Sequence, residues 1–436
     1  MEELYGRQKA MAKEELEMLD DSFQSRLALV IKEDKVTCQR CGSFFLKDSY
    51  QLPNKQYYCP YCIQFGRLTD QLYLVSQVEK TRSPREIVFN WQGTLTAAQQ
   101  SVSNQIRENY QQNKHTLVWA VTGSGKTEMI FAILCDCLQS GGRAAIASPR
   151  IDVCRELYPR IDEVFPQEQT LLLYGESTEK YRYNALTICT THQLFHFYHA
   201  FDLLIIDEID AFPYEGDKTL AFAQKNALKK DGKYIYLSAT PPNHLLESIK
   251  STFCIEKLPL RFHRRPLVVP QLIWYEKWQY CYQSNWKVKK LVFYLKKLLK
   301  DNDVLVFCPS ICYMQKLYKK VCEFFDPSEI ESVSAQDLQR EEKVQSMREG
   351  AYRILFSTTI LERGVTFEGI SVVIMGANHK IYSKSALVQI AGRVDRKGKY
   401  QQGQVLFFYN QQTQAIRDAC HEIKKMNRLA KEWLVS

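Results

Sequence analysis

The stretch Ala120-Val121-Thr122-Gly123-Ser124-Gly125-Lys126-Thr127-Glu128 decides how the rest of this chain reads. An apolar run at 116–119 precedes it and predicts a short strand. After it, Ile130, Ile133, Leu134, Cys137 and Leu138 recur at helical spacing, which predicts a helix over 126–139. Strand, glycine-rich turn and helix are the setting of a phosphate-binding loop. Glycines let the backbone curl until consecutive N–H groups face phosphate oxygens, and the helix N-terminus adds its dipole. Thr122, Gly123, Ser124, Gly125, Lys126 and Thr127 are therefore the expected nucleotide contacts. Lys126 would reach the β- and γ-phosphates of ATP, and Thr127 would hold Mg²⁺. Ala120 stands where the general pattern has glycine.

Downstream, four aliphatic residues at 203–206 predict a buried strand that runs into Asp207-Glu208-Ile209-Asp210. In an NTPase, Asp207 would share the Mg²⁺ with Thr127, and Glu208 would activate the attacking water. The acids stand 81 residues after Lys126, far enough for an intervening strand at 144–147. That strand ends at Ser148-Pro149-Arg150, and a later segment reads Thr190-Thr191-His192-Gln193. Loops at the carboxyl ends of parallel strands form the ligand crevice, so Arg150 and Thr191 are candidates for a sugar-phosphate backbone. A strand at 234–237 then gives way to Ser238-Ala239-Thr240.

The second half repeats this logic without a phosphate loop. Strands are expected at 304–307, 353–356 and 372–375; Ser357-Thr358-Thr359 and Glu362-Arg363-Gly364-Val365 follow the second. Gln389-Ile390-Ala391-Gly392-Arg393-Val394-Asp395-Arg396 comes next. If that segment opens a helix, Arg393 and Arg396 share one face and can reach a γ-phosphate as arginine fingers. A last amphipathic helix is expected over 416–433.

Ahead of the phosphate loop, Cys38, Cys41, Cys59 and Cys62 form C-x₂-C-x₁₇-C-x₂-C, the spacing of a closed four-thiolate Zn²⁺ site with a structural role. The other ten of 14 cysteines are scattered, which fits a reducing compartment. Residues 1–35, rich in Glu and Lys, read as a helical arm. The N-terminus lacks the order of a signal peptide, and no run approaches a membrane span, so a cytosolic protein is expected, with peripheral membrane attachment left open. The net charge of +9 is equalled by residues 261–300 alone, where ten Lys/Arg face one acid, Glu276, with Trp274, Trp278 and Trp286 interleaved. Such a segment suits a polyanion whose bases can stack, although a solvated helix face has the same composition.

Taken in order, these motifs resemble superfamily 2 helicases, in which A-x-x-G-x-G-K-T is the usual form of the loop. The fold this implies is α/β, with two RecA-like parallel-sheet lobes at 84–255 and 256–436. A zinc module at 36–80 would precede them, behind the arm at 1–35. The resemblance also makes Gln99, just after the expected N-cap Thr96, a reader of the adenine edge, and places Gln389 at the nucleotide. With the zinc module directly in front and no large insertion, the chain resembles the ComFA family of natural competence in Gram-positive bacteria. That resemblance implies an ATP-driven translocase of single-stranded DNA, working beside ComFC and the membrane DNA-uptake channel at the inner face of the cell membrane, and leaves a homo-oligomer open. The alternatives are a replication-restart or repair helicase, or an RNA-dependent ATPase clamp.

Overall fold

A computed structural model describes the chain except for residues 1–3, 78, 80–81, 176, 178–180, 211–215, 363–364, 397–401 and 436, and the side chain of Val435. Arg363 and Gly364 lie outside the described residues.

The chain divides into two compact units. The first comprises Met1–Val118, Thr127–Ser238 and Asn243–Glu256; the second comprises Trp119–Lys126, Ala239–Pro242 and Lys257–Ser436. A seven-stranded sheet organises the first, in the order Phe253–Leu258, His115–Ala120, Leu228–Ser238, Phe201–Asp207, Ala144–Ser148, Leu186–Thr190, Leu171–Leu173. Leu203–Ile206 and Ala144–Ser148 are buried throughout, as central strands covered on both faces must be. Pairing of Phe201–Asp207 with both neighbours is parallel.

A six-stranded, all-parallel sheet organises the second unit, in the order Gln271–Trp274, Val405–Tyr409, Ile370–Met375, Asp303–Phe307, Ile354–Ser357, Ile330–Val333. Strand side chains alternate faces, and the two cores show it. Leu305, Phe307, Leu355, Val372, Ile374 and Phe407 pack against helices Lys384–Ala391 and Gln414–Val435. Val304, Val306, Phe356, Val373, Met375 and Phe408 pack against Asn285–Leu298 and Ile311–Val321.

The helical arm expected at 1–35 is not found among its described residues. Only Lys13–Leu16 is helical. Lys9–Ala12 and Phe23–Leu27 pair antiparallel with the two edges of Leu72–Gln77, so a distant strand overrides the local helical preference of a Glu/Lys-rich segment. Leu29–Lys32, Lys35–Cys38 and Phe44–Leu46 form a second three-stranded antiparallel sheet. The cysteine region is joined to the first large sheet by a single core: Cys38, Cys41, Cys59, Cys62, Leu29 and Val36 belong to one cluster with Leu117, Leu204, Ile206 and Phe197. Phe65 stacks on Phe195 at 4.6 Å between ring centroids. Arg143, fully buried, donates to Tyr5 O at 3.1 Å and to Tyr181 Oη at 3.1 Å, tying the N-terminal segment to the same sheet.

Candidate functional site

The phosphate loop leaves strand His115–Ala120 and enters helix Lys126–Met129. Gly123 and Gly125 have φ of 79° and 76°, a region that side chains avoid, so the loop's curl depends on both glycines. The continuous helix expected over 126–139 is interrupted at Ile130, which joins Lys126–Met129 to Phe131–Gln139. Ser103 Oγ donates to Met129 O at 2.8 Å, beside the interruption. Lys126 Nζ donates to Ala120 O at 3.2 Å. Ser124 is buried, whereas Thr122, Lys126 and Thr127 are partly exposed.

Thr96 is the N-cap of helix Ala97–Gln111, and Gln99 completes a capping box: Gln99 Oε1 accepts from Thr96 N at 2.9 Å and Thr96 Oγ1 at 3.0 Å. The Gln99 side chain is thus held by its own helix start and is 2% exposed.

Asp207 closes strand Phe201–Asp207 at its carboxyl end, and Glu208 follows with φ of 54°. A non-glycine residue in that region costs of order 1 kcal/mol and persists only where the surroundings enforce it. Glu208 N donates to Asp207 Oδ1 at 2.9 Å, which helps fix the turn. Asp210, buried, accepts from Ser238 Oγ at 2.7 Å. Ser238 thereby braces the acidic turn, a role its small polar neighbours did not announce in the sequence.

In the second unit, Gln389 lies near the end of helix Lys384–Ala391, and its amide donates to Thr240 Oγ1 at 3.4 Å. Thr240 Oγ1 is also 2.7 Å from Ser385 Oγ. The arginines require a correction. The segment does not open a helix; the helix ends at Ala391, with Gly392 as C-cap, and Asp395 has φ of 52°. Arg393 and Arg396 therefore follow a helix C-terminus in a tight turn and do not share a helical face. Arg393 is 3% exposed and its Nε donates to Glu362 O at 3.2 Å. Arg396 is partly exposed. Thr122 Oγ1 donates to Gly392 O at 3.4 Å, so the phosphate loop and this turn meet within the second unit.

The candidates for a polyanion sort unevenly. Arg150 is the N-cap residue of helix Ile151–Val164. Thr191 and Thr358 are buried, so their side chains offer no open surface. Arg261 is buried too and leaves the basic surface. On helix Asn285–Leu298 the outer face keeps Trp286 and Phe293, 79% and 63% exposed, among the exposed Lys289, Lys290, Lys296 and Lys297.

The four cysteines converge. Their sulfurs lie within 4.8 Å of one another, with Cys38–Cys62 at 3.7 Å, Cys41–Cys59 at 3.6 Å and Cys59–Cys62 at 3.6 Å. Four thiolates about 2.3 Å from a tetrahedral Zn²⁺ would stand about 3.8 Å apart. All four cysteines are buried and free of disulfides. The cluster is compatible with zinc in both donor set and spacing. Arg40, invisible to motif reading, reaches Cys62 Sγ from Nε at 3.4 Å and Nη2 at 3.2 Å, and also donates to Cys62 O, Phe65 O and Gly66 O. A buried guanidinium there offsets the negative charge that four thiolates around a divalent cation leave over.

Two family models match the chain: the DEAD/DEAH box helicase domain over residues 96–248 and the helicase conserved C-terminal domain over 286–398. The competence protein ComFA of Streptococcus pneumoniae is 41% identical over 403 residues, 92% of each chain. The chain belongs to the ComFA family. ComFA of Bacillus subtilis is similar at 37% identity over 412 residues, 92% of this chain and 88% of that one. Among solved structures, Saccharomyces cerevisiae Dbp5 bound to RNA and ADP BeF3 shares the fold alone, with a TM-score of 0.56 and 17% identity over 75% of this chain and 93% of that one. This member of the ComFA family is thus a competence-associated, ATP-hydrolysing, helicase-like enzyme of superfamily 2, with two RecA-like lobes and a buried four-cysteine cluster.

The other buried thiols of this ComFA chain are structural. Burial pushes Cys137 and Cys154 up to about 12, which keeps them protonated and unreactive. The seam between the cysteine region and the first large sheet is expected to be acid-sensitive. Burial, helped by the positive charges of Arg7 and Arg40, pushes His196 down from 6.5 to about 4. The unfolded chain takes up this proton before the folded one does, so stability falls as pH drops from 6.5 toward 4. Between pH 6.5 and 5 the loss should be about 1.5 kcal/mol. Thermal unfolding of wild type and His196→Phe across that range checks this: the wild-type midpoint should fall more steeply. Parallel slopes would contradict it.

Proposed function

We propose that the chain is an ATP-dependent single-stranded DNA translocase of the DNA-uptake machinery. The observation that carries this reading is the 41% identity to a competence protein over 92% of both chains. ATP is held by Thr122, Gly123, Ser124, Gly125, Lys126 and Thr127, with Gln99 and Gln389 completing the nucleotide contacts. Thr127 and Asp207 hold Mg²⁺, which supplies charge neutralisation at the phosphates. Glu208 is the base for the attacking water. Arg393 and Arg396 stabilise charge on the transferred phosphoryl group. Zn²⁺ on Cys38, Cys41, Cys59 and Cys62 is structural. ComFC and the uptake channel are the partners, and the protein works at the inner face of the cell membrane. Among the described residues no helix is long and apolar enough to cross a membrane.

The outer face of Asn285–Leu298 supports binding of a flexible strand, since exposed Trp286 and Phe293 offer stacking planes among lysines. Titrating ATPase activity with single-stranded DNA, duplex DNA and RNA at two salt concentrations tests the reading. Single-stranded DNA should stimulate most. Preferential stimulation by RNA would favour the RNA-dependent clamp instead. Replacing Lys289, Lys290 and Lys296 by Glu should weaken single-strand binding and reduce the slope of log affinity against log salt by up to about 2. An unchanged slope would return this face to the status of solvated surface.

A further inference from the structure

We propose that Arg261 is a positioning residue of the hydrolysis reaction, holding the arginine-bearing turn in register with the phosphate loop. The proposal rests on the reading of Arg393 and Arg396 as arginine fingers. By composition Arg261 belongs to the basic run that suits a polyanion. In the structure it is 2% exposed and faces carbonyls. Its Nη1 donates to Val394 O at 2.9 Å and Asp395 O at 3.0 Å, and its Nη2 donates to Gly392 O at 3.0 Å. These carbonyls lie just past the end of helix Lys384–Ala391, where the backbone has run out of intrahelical partners and carries the negative end of the helix dipole. A planar guanidinium can span three such acceptors; an ammonium is a point donor.

The neighbours of Arg261 extend the brace in both directions. Phe262 N donates to Gly123 O at 2.9 Å, and Val121 N donates to Leu258 O at 3.1 Å. His263 Nε2 donates to Arg396 O at 3.1 Å, while its Nδ1 accepts from Arg265 N at 3.2 Å, a pair of bonds that requires the neutral ring. A Cβ on Gly123 would stand 3.3 Å from Arg396 Cγ and 3.9 Å from Arg261 Cδ. Three consecutive residues therefore bind, in turn, the arginine turn, the phosphate loop and the arginine turn again. None of these contacts touches a reacting atom. They set where the fingers stand relative to the loop, which is what an electrostatic contribution to the transition state depends on.

The test measures ATP turnover, KM for ATP, equilibrium ATP binding and melting temperature in the full chain. Arg261→Met should lower kcat at least thirtyfold while leaving KM within about threefold. Introduced into Arg396→Ala it should slow turnover no more than threefold further, since it acts through the same turn. His263→Ala removes two bonds from a half-exposed position outside the buried core and should lower kcat three- to tenfold with KM unchanged. Near-normal kcat in both single variants, a full multiplicative effect in the double variant, or a loss confined to KM would each overturn the proposal. If Arg261→Met melts near the assay temperature, His263→Ala decides alone. Wild-type turnover in Arg396→Ala would instead defeat the finger reading, and this proposal with it.

Discussion

Glu208→Gln is expected to lower ATP turnover by about 10²–10⁴-fold while ATP still binds. The replacement keeps the size and shape of the side chain while removing its charge and its ability to accept a proton. Its backbone setting makes the experiment clean. Glu208 sits at φ of 54°, immediately after a buried strand, with its N–H tied to Asp207 Oδ1. Glutamine meets the same backbone cost, so the turn should persist and Asp207, proposed to hold Mg²⁺, should keep its place. Steady-state phosphate release beside equilibrium nucleotide binding gives the answer. Near-normal turnover would overturn the assignment of the base, and loss of ATP binding would show that the residue holds the nucleotide instead.

Disrupting the four-cysteine cluster is expected to give the second large effect. Fresh, reduced protein should contain one zinc per chain, and a value near zero would refute the four-cysteine assignment. Cys59→Ser leaves three thiolates and should release the ion. A structural Zn²⁺ contributes on the order of 10–16 kcal/mol, as much as the whole stability of an ordinary domain. The four cysteines share a core with Leu117, Leu204 and Ile206, so the loss cannot stay local. The melting temperature of the first unit should drop sharply, with ATPase activity following it. A Cys59→Ser protein that loses zinc and melts like wild type would contradict that coupling.

These expectations stand on features that differ in how openly the sequence displays them. The phosphate loop, the acid pair and the paired cysteines are local: fixed spacings of a few residues beside an apolar run, visible without knowing any contact. The alternation behind the second sheet, from Val304 to Phe307 and from Val372 to Met375, is local as well. Residues 1–35 mislead because two of their strands, Lys9–Ala12 and Phe23–Leu27, pair with Leu72–Gln77, and no composition rule looks that far along the chain. Arg393 and Arg396 are found by pattern, but their geometry is not. Whether the helix starts or stops at Gly392 is decided by the left-handed Asp395 and by carbonyls capped from Arg261. Arg261 itself hides among nine other basic residues, and Arg40 hides between two ligands. Burial distinguishes them, and burial is a property of the fold.

The shared core around Phe65 and Phe195 also fixes what a probe on the cysteine region can report. With one continuous interior, that region cannot swing on a tether; it travels as a rigid handle of the first large sheet. A dye attached at exposed Lys55 would register every displacement of that sheet during a catalytic cycle without touching the nucleotide site. Force applied there, by a partner or by an optical trap, would be transmitted to the strand that ends in Asp207, just before Glu208.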